Sequence, residues 1–235
     1  MDFLQSRINY LAVHKGGAAV TVQRISRLQL CLMTFGVIIG IVGILHGSAE
    51  LLKGTMLVES HSVEALPVDW PNSAFYTLTR GSPVFSVLTG IPFFALGLLA
   101  ISVSIALIVF SLTVIRLNGQ GLLLFFLLSV GIFLFGAGRG TPVAISLPVL
   151  VVCAIFLLTS NKKTRNDASK KKIFFFFNAF YWSHIASWIL FFPGLFILSF
   201  YQAIPSWLFI FAFASMPISS LGSLICGLMY DRAIS

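Results

Sequence analysis

A histidine and a glutamate one helical turn apart, His46 and Glu50, stand near the end of a long stretch in which no other acid occurs. Side chains four residues apart on a helix meet on one face, so the pair offers two metal ligands or a base with an orienting partner. Neither chemistry is completed locally. A zinc site takes three or four protein ligands, and no HExxH or comparable pattern supplies the others. No serine or cysteine nucleophile motif stands beside the pair. A third reading is therefore open: an ion-paired lock, with neither metal nor cofactor, and it is the simplest of the three.

The acid also belongs to a pattern of small residues. Gly36, Gly40, Gly43, Gly47, Glu50 and Gly54 follow one another at intervals of four, three, four, three and four, which aligns them along one helical seam. Glycine on such a seam lets another helix approach closely, so Glu50 is expected to point into protein. Buried there, it must be protonated, paired or hydrogen-bonded. Lys53 continues the same line and is one candidate partner; Arg80 and Arg139 are the others.

The chain that must position these groups is built for a bilayer. It is 58% hydrophobic and 9% charged, with a mean hydropathy of +0.99. A hydrocarbon core about 30 Å thick is crossed by roughly 20 helical residues. Six stretches reach that scale: 29–52, 84–115, 121–138, 142–160, 173–200 and 205–230. The second, at 32 residues, exceeds what a crossing needs and is expected to tilt, to kink near Pro92 or to project past the surface. The fold class expected is an all-α, polytopic membrane bundle. Residues 1–28 form an N-terminal segment, 29–230 a single transmembrane domain and 231–235 a tail.

The net charge of +8 reports orientation and not nucleic-acid binding. With the N-terminus inside, twelve Lys and Arg fall on the cytoplasmic side: four before the first span, Arg116, six between Lys162 and Lys172, and Arg232. Only Lys53, Arg80 and Arg139 fall outside, beside Glu59, Glu64 and Asp69. Both ends are therefore expected in the cytoplasm of a cell that carries the protein in its plasma or cytoplasmic membrane. In the basic loop 161–172, Lys162, Lys163, Lys170, Lys171 and Lys172 are suited to anionic headgroups, although orientation alone accounts for them. The first 28 residues lack a compact apolar core with a small-residue cleavage site, so the first span is expected to be the targeting signal.

The outward loop 53–83 holds LPVDWPNSAFYTLTRGSP, whose prolines restrict the backbone and whose Trp70, Phe75 and Tyr76 suit a membrane interface. An ordered cap is expected there. Between the third and fourth spans, GAGRGTP is short enough to force an antiparallel hairpin with Arg139 at its tip. The outer polar cluster then comprises His46, Glu50, Asp69, Trp70, Arg80 and Arg139. His184 in the fifth span sits roughly 9 Å nearer the cytoplasm than His46, so a core histidine bonded to a serine such as Ser183 or Ser187, or to a backbone carbonyl, is expected. Cys31, Cys153 and Cys226 all lie in spans and imply no disulfide framework. No inverted repeat of the kind common in secondary transporters is present.

Four segments, HGSAELLKG, WPNSAFYTLTRGSP, IPFFALGLLAI and RLNGQGLLLFFLLSVGIFLFGAGRGTP, together resemble a group of small multi-pass membrane proteins, mostly uncharacterised. That group carries an HGxxExLxG end to its first helix and a WPxS element after it. The resemblance covers residues 36–142. It implies a compact helical membrane domain and a unit formed by His46, Glu50, Trp70, Pro71 and Arg139, but no reaction. Arg139 departs from the group's glycine-rich turn. The function expected is non-enzymatic: a membrane protein that binds or moves a small solute or lipid through the outer polar cluster. Two alternatives are an intramembrane enzyme using His46 and Glu50 as acid/base groups, and an accessory subunit that docks a partner helix on the glycine seam.

Overall fold

A computed structural model describes residues 25–59, 62–63, 84–85, 88–113, 119–135, 167–190, 194 and 205–234. These form five helices, α1 (Arg27–Leu52), α2 (Phe93–Thr113), α3 (Gly119–Phe135), α4 (Asp167–Ile189) and α5 (Ser206–Ile234), and one antiparallel two-residue ladder of β1 (Ser62–Val63) on β2 (Val84–Phe85). Three of the helices hold stretches long and apolar enough to cross a membrane, Arg27–Leu52, Phe93–Thr113 and Ile210–Ala233; a shorter apolar helix covers Gln120–Phe135. The fourth expected span, 142–160, lies outside the described residues, as do Arg116 and Cys153.

The helices form two antiparallel pairs, α1 with α2 and α4 with α5. α3 packs on α2, and α1 also contacts α5. Apolar residues surround each helix, so hydrophobicity alone does not choose the inward face. Size and polarity choose it. On α1 the glycine seam faces α2: a side chain at Gly36 would overlap Ser111, one at Gly40 Ile108, one at Gly43 Ser104, and one at Gly47 would come 2.8 Å from the carbonyl oxygen of Gly97. Ser104 and Ser111 are fully buried, and their hydroxyls have no conventional partner. Each hydroxyl oxygen instead lies where the Cα hydrogen of Gly43 or Gly36 points, the arrangement of a weak Cα–H···O contact at a tight helix crossing. The seam is thus filled from within the chain, which removes it as a docking surface for a foreign helix.

Several boundaries differ from expectation. α2 begins at Phe93, directly after Pro92, so the proline starts the helix and does not kink it, and residues 84–85 belong to the ladder. Proline lacks the N–H an interior position needs, and it disfavours helical geometry in the residue before it. Residues 167–172 form the first turns of α4, not a loop. The expected tail is helical to Ile234, and it has a role there.

That role is to cap α1. Ser26 and Gln29 make a reciprocal capping box, with Ser26 Oγ accepting from Gln29 N at 3.1 Å and Gln29 Oε1 from Ser26 N at 3.0 Å. The next two amides, Arg27 and Leu28, each donate to one carboxylate oxygen of Asp231 in α5 at 2.9 Å. The Arg27 guanidinium lies over the rings of Phe174, Phe177 and Tyr230, at 5.1, 5.5 and 5.8 Å from their centroids. The starts of α1 and α4 and the end of α5 therefore share one end of the bundle. Replacing Asp231 by Ala is expected to cost about 1–2 kcal/mol, and by Asn about half of that, because Asn keeps one accepting oxygen but not the charge at a helix N-terminus. Thermal unfolding of the two variants in the same detergent checks the ratio.

Candidate functional site

At the other end of α1 the chain must stop a long apolar helix and turn back into α2. Lys53 is the C-cap and Gly54 follows it at φ +64°, the left-handed conformation that closes a helix with least strain when the residue has no Cβ. Gly54 N–H donates to Leu51 O at 3.1 Å, and Gly54 O accepts from Phe94 N at 2.8 Å. Phe93 N donates to Met56 O at 2.9 Å, while Val58 and the segment Gly90–Ile91 exchange bonds of 2.8 and 3.1 Å. The orphan amides that open α2 are satisfied by carbonyls that follow α1, and the two helix ends are clasped. Nothing lies within 4 Å of a Cβ built on Gly54. Gly54 is a terminator and not a packing residue, which corrects its place in the expected seam.

Glu50 points inward beside this clasp and is only 2% exposed. Its Oε2 accepts from Lys53 Nζ at 3.1 Å, and the lysine side chain is itself 4% exposed. The same ammonium stands 4.1 Å from the centroid of the Phe93 ring at the start of α2. A carboxylate, an ammonium and an aromatic face thus form a closed stack in which the cation is held from two sides. His46, one turn earlier on α1, is half-buried. Asp69, Trp70, Pro71, Arg80 and Arg139 lie outside the described residues, so of the expected outer cluster His46 and Glu50 are described, with Lys53 beside them. No group of three or more metal-ligating side chains occurs among the described residues.

A second polar centre lies between α1, α4 and α5. His184, 3% exposed, has its ring centroid 4.2 Å from that of Phe35 at an interplanar angle of 63°. Phe35 precedes His46 by eleven residues, about 16 Å along the helix, so the two histidines belong to separate sites. His184 Nδ1 is 2.6 Å from Ser220 Oγ, and Ser220 Oγ donates to Met216 O at 2.6 Å. The partner expected on its own helix is otherwise engaged: Ser187 donates to Ser183 O at 2.7 Å and accepts from Ser215 at 2.8 Å. One turn beyond His184, Trp188 is 6% exposed with its ring 6.3 Å away. His184 Nε2 and Trp188 Nε1 are both buried without a hydrogen-bond partner.

No family model, curated protein or solved structure matches the chain. The site is therefore read from its own geometry. Sequence reasoning weighed His184 as a core histidine, counted Trp188 among the bulky aromatics of the fifth span that suit lipid contact and packing, and passed over the serines opposite. The signal was present as Ser215, Ser219, Ser220 and Ser223, spaced by four, one and three in the last helix, a polar stripe in an otherwise apolar run. Most of these hydroxyls bond back to their own helix, Ser219 to Ser215 O, Ser220 to Met216 O and Ser223 to Ser220 O, which is how a serine is carried in an apolar helix at little cost.

Proposed function

We propose that the protein is a six-span integral membrane protein of the plasma or cytoplasmic membrane, with both ends cytoplasmic, that holds a lipid or small amphiphilic solute within its bundle and performs no chemistry through His46 and Glu50. The carrying observation is an inverted solvent preference: polar atoms inside, large apolar side chains outside. Ile41, Leu99, Ile105, Leu127, Phe175 and Phe211 face outward on five different helices, whereas Ser104, Ser111, Ser129, His184, Ser220 and Ser223 are buried. Such a surface suits acyl chains and would aggregate in water.

Orientation follows from charge. Arg27, Lys170, Lys171, Lys172 and Arg232 belong to helix ends gathered at one pole, and the excess of basic residues there supports a cytoplasmic assignment. The exposed Lys171 and Lys172, with Lys162 and Lys163 before them, are placed to meet anionic headgroups. The closed Glu50–Lys53–Phe93 stack supports the lock over a general base, since a working base must reach its proton through open space.

Topology is tested by single cysteines in a background lacking the three native ones. Glu64→Cys is expected to react with a membrane-impermeant maleimide on intact cells, and Lys163→Cys only after permeabilisation. Labelling of position 163 from outside overturns the orientation. Native mass spectrometry of the gently purified protein is expected to retain lipid adducts; a bare chain under conditions that preserve the fold overturns the binding role.

A further inference from the structure

The polar centre at His184 carries more than a packing role, and the step that follows rests on the reading above. Ser220 has one hydroxyl proton, and it goes to Met216 O. Ser220 Oγ must then accept from His184 Nδ1, because a bond at 2.6 Å needs a proton from one side. An imidazole with its one proton on Nδ1 presents Nε2 as a bare acceptor. Trp188 Nε1–H is a donor only. The same face of α4 therefore offers one buried acceptor and one buried donor a single turn apart, both unpartnered and both more than nine-tenths buried.

We propose that this pair binds the free hydroxyl of a lipid alcohol, a molecule of the diacylglycerol, ceramide or sterol type. A hydroxyl donates one hydrogen bond and accepts another: its proton goes to His184 Nε2, and its oxygen accepts from Trp188 Nε1–H. A buried water makes about three bonds, and the site supplies two. The rings of Phe35 and Trp188 pack edge-on with His184, an apolar surrounding that suits hydrocarbon beside a hydroxyl better than it suits water. A lipid acylated at that hydroxyl lacks the proton that Nε2 requires.

The test uses the full-length protein in detergent, with 1,2-dioctanoylglycerol as probe and its 3-acetate, which has lost only the hydroxyl, as control. The free alcohol is expected to bind at least tenfold more tightly than the acetate by native mass spectrometry, and to raise the unfolding temperature where the acetate does not. Trp188→Phe and His184→Phe, which keep a ring, are each expected to lose about tenfold in alcohol affinity and to leave acetate binding unchanged. If either variant fails to fold, the alcohol-to-acetate ratio of the wild type still decides. Equal binding of the two probes overturns the inference while leaving lipid binding intact; a protein that binds neither overturns the broader reading as well. Two variants that keep the full alcohol preference also overturn it, as does an ordered water bonded to both nitrogens in a protein that shows no preference.

Discussion

Glu50→Gln is expected to destabilise the purified protein by about 3–5 kcal/mol, because it removes the carboxylate charge with which the buried Lys53 ammonium pairs at 3.1 Å. Lys53→Met should cost a similar amount by stranding the carboxylate. The double variant, with neither charge, should recover most of the loss, since replacing a buried pair with apolar groups is often close to neutral. Unfolding in detergent and abundance in the membrane are the measurements. The pattern of two damaging singles and a tolerated double belongs to a lock. A catalytic acid would behave oppositely, with Glu50→Gln keeping its melting temperature and losing whatever activity the protein has. Phe93 adds a directional check: Phe93→Leu keeps apolar volume but removes the aromatic face 4.1 Å from Nζ, and is expected to cost about 1–2 kcal/mol.

Gly47→Ala and Gly97→Ala are expected to be the most damaging single-methyl additions among the described glycines, at about 2–3 kcal/mol each. The reason is what each methyl would meet. A Cβ at Gly47 comes 2.8 Å from Gly97 O, and one at Gly97 comes 2.6 Å from Gly47 O, so both press on backbone that can yield only by separating α1 from α2. At Gly222 the nearest atoms to a Cβ all belong to the Phe180 side chain, with Cγ at 2.6 Å, so Gly222→Ala requires that side chain to shift as a whole but does not press on backbone, and should cost less. Gly54→Ala meets no atom and pays only for its positive φ, about 1 kcal/mol. Because Gly47 and Gly97 face each other, the double variant should cost clearly less than the sum of the singles: helices already spaced apart by one methyl admit the second. Additivity in a melting series would show that the two positions do not share one crossing.

Much of this was legible in the chain itself. Intervals of four and three put Gly36, Gly40, Gly43, Gly47 and Glu50 on one face, and the size of glycine demanded a helix against it. The end of the first helix at Leu52 was legible, and so was Lys53 as a candidate partner within one turn of Glu50, whereas the Ser26–Gln29 capping box that starts the helix at Arg27 came from the structure. Gly54 was misread for an instructive reason. Its interval of four continues the seam on paper, but a spacing pattern carries no information about φ, and the helix ends at Leu52, two residues before it.

Sequence determined that this chain is helical, apolar on its outside and tightly seamed along its first helix, because composition and short intervals act through neighbours on one helix. Only tertiary structure decided that α2 fills the seam, that Asp231 caps a helix more than 200 residues earlier, and that His184 bonds to Ser220 rather than to a serine on its own helix. Each of those joins two segments through space. In an apolar chain almost every helix face can meet almost every other, so hydrophobic pattern does not choose among pairings. Hydrogen bonds and single-atom clearances choose, and they exist only once the helices are packed.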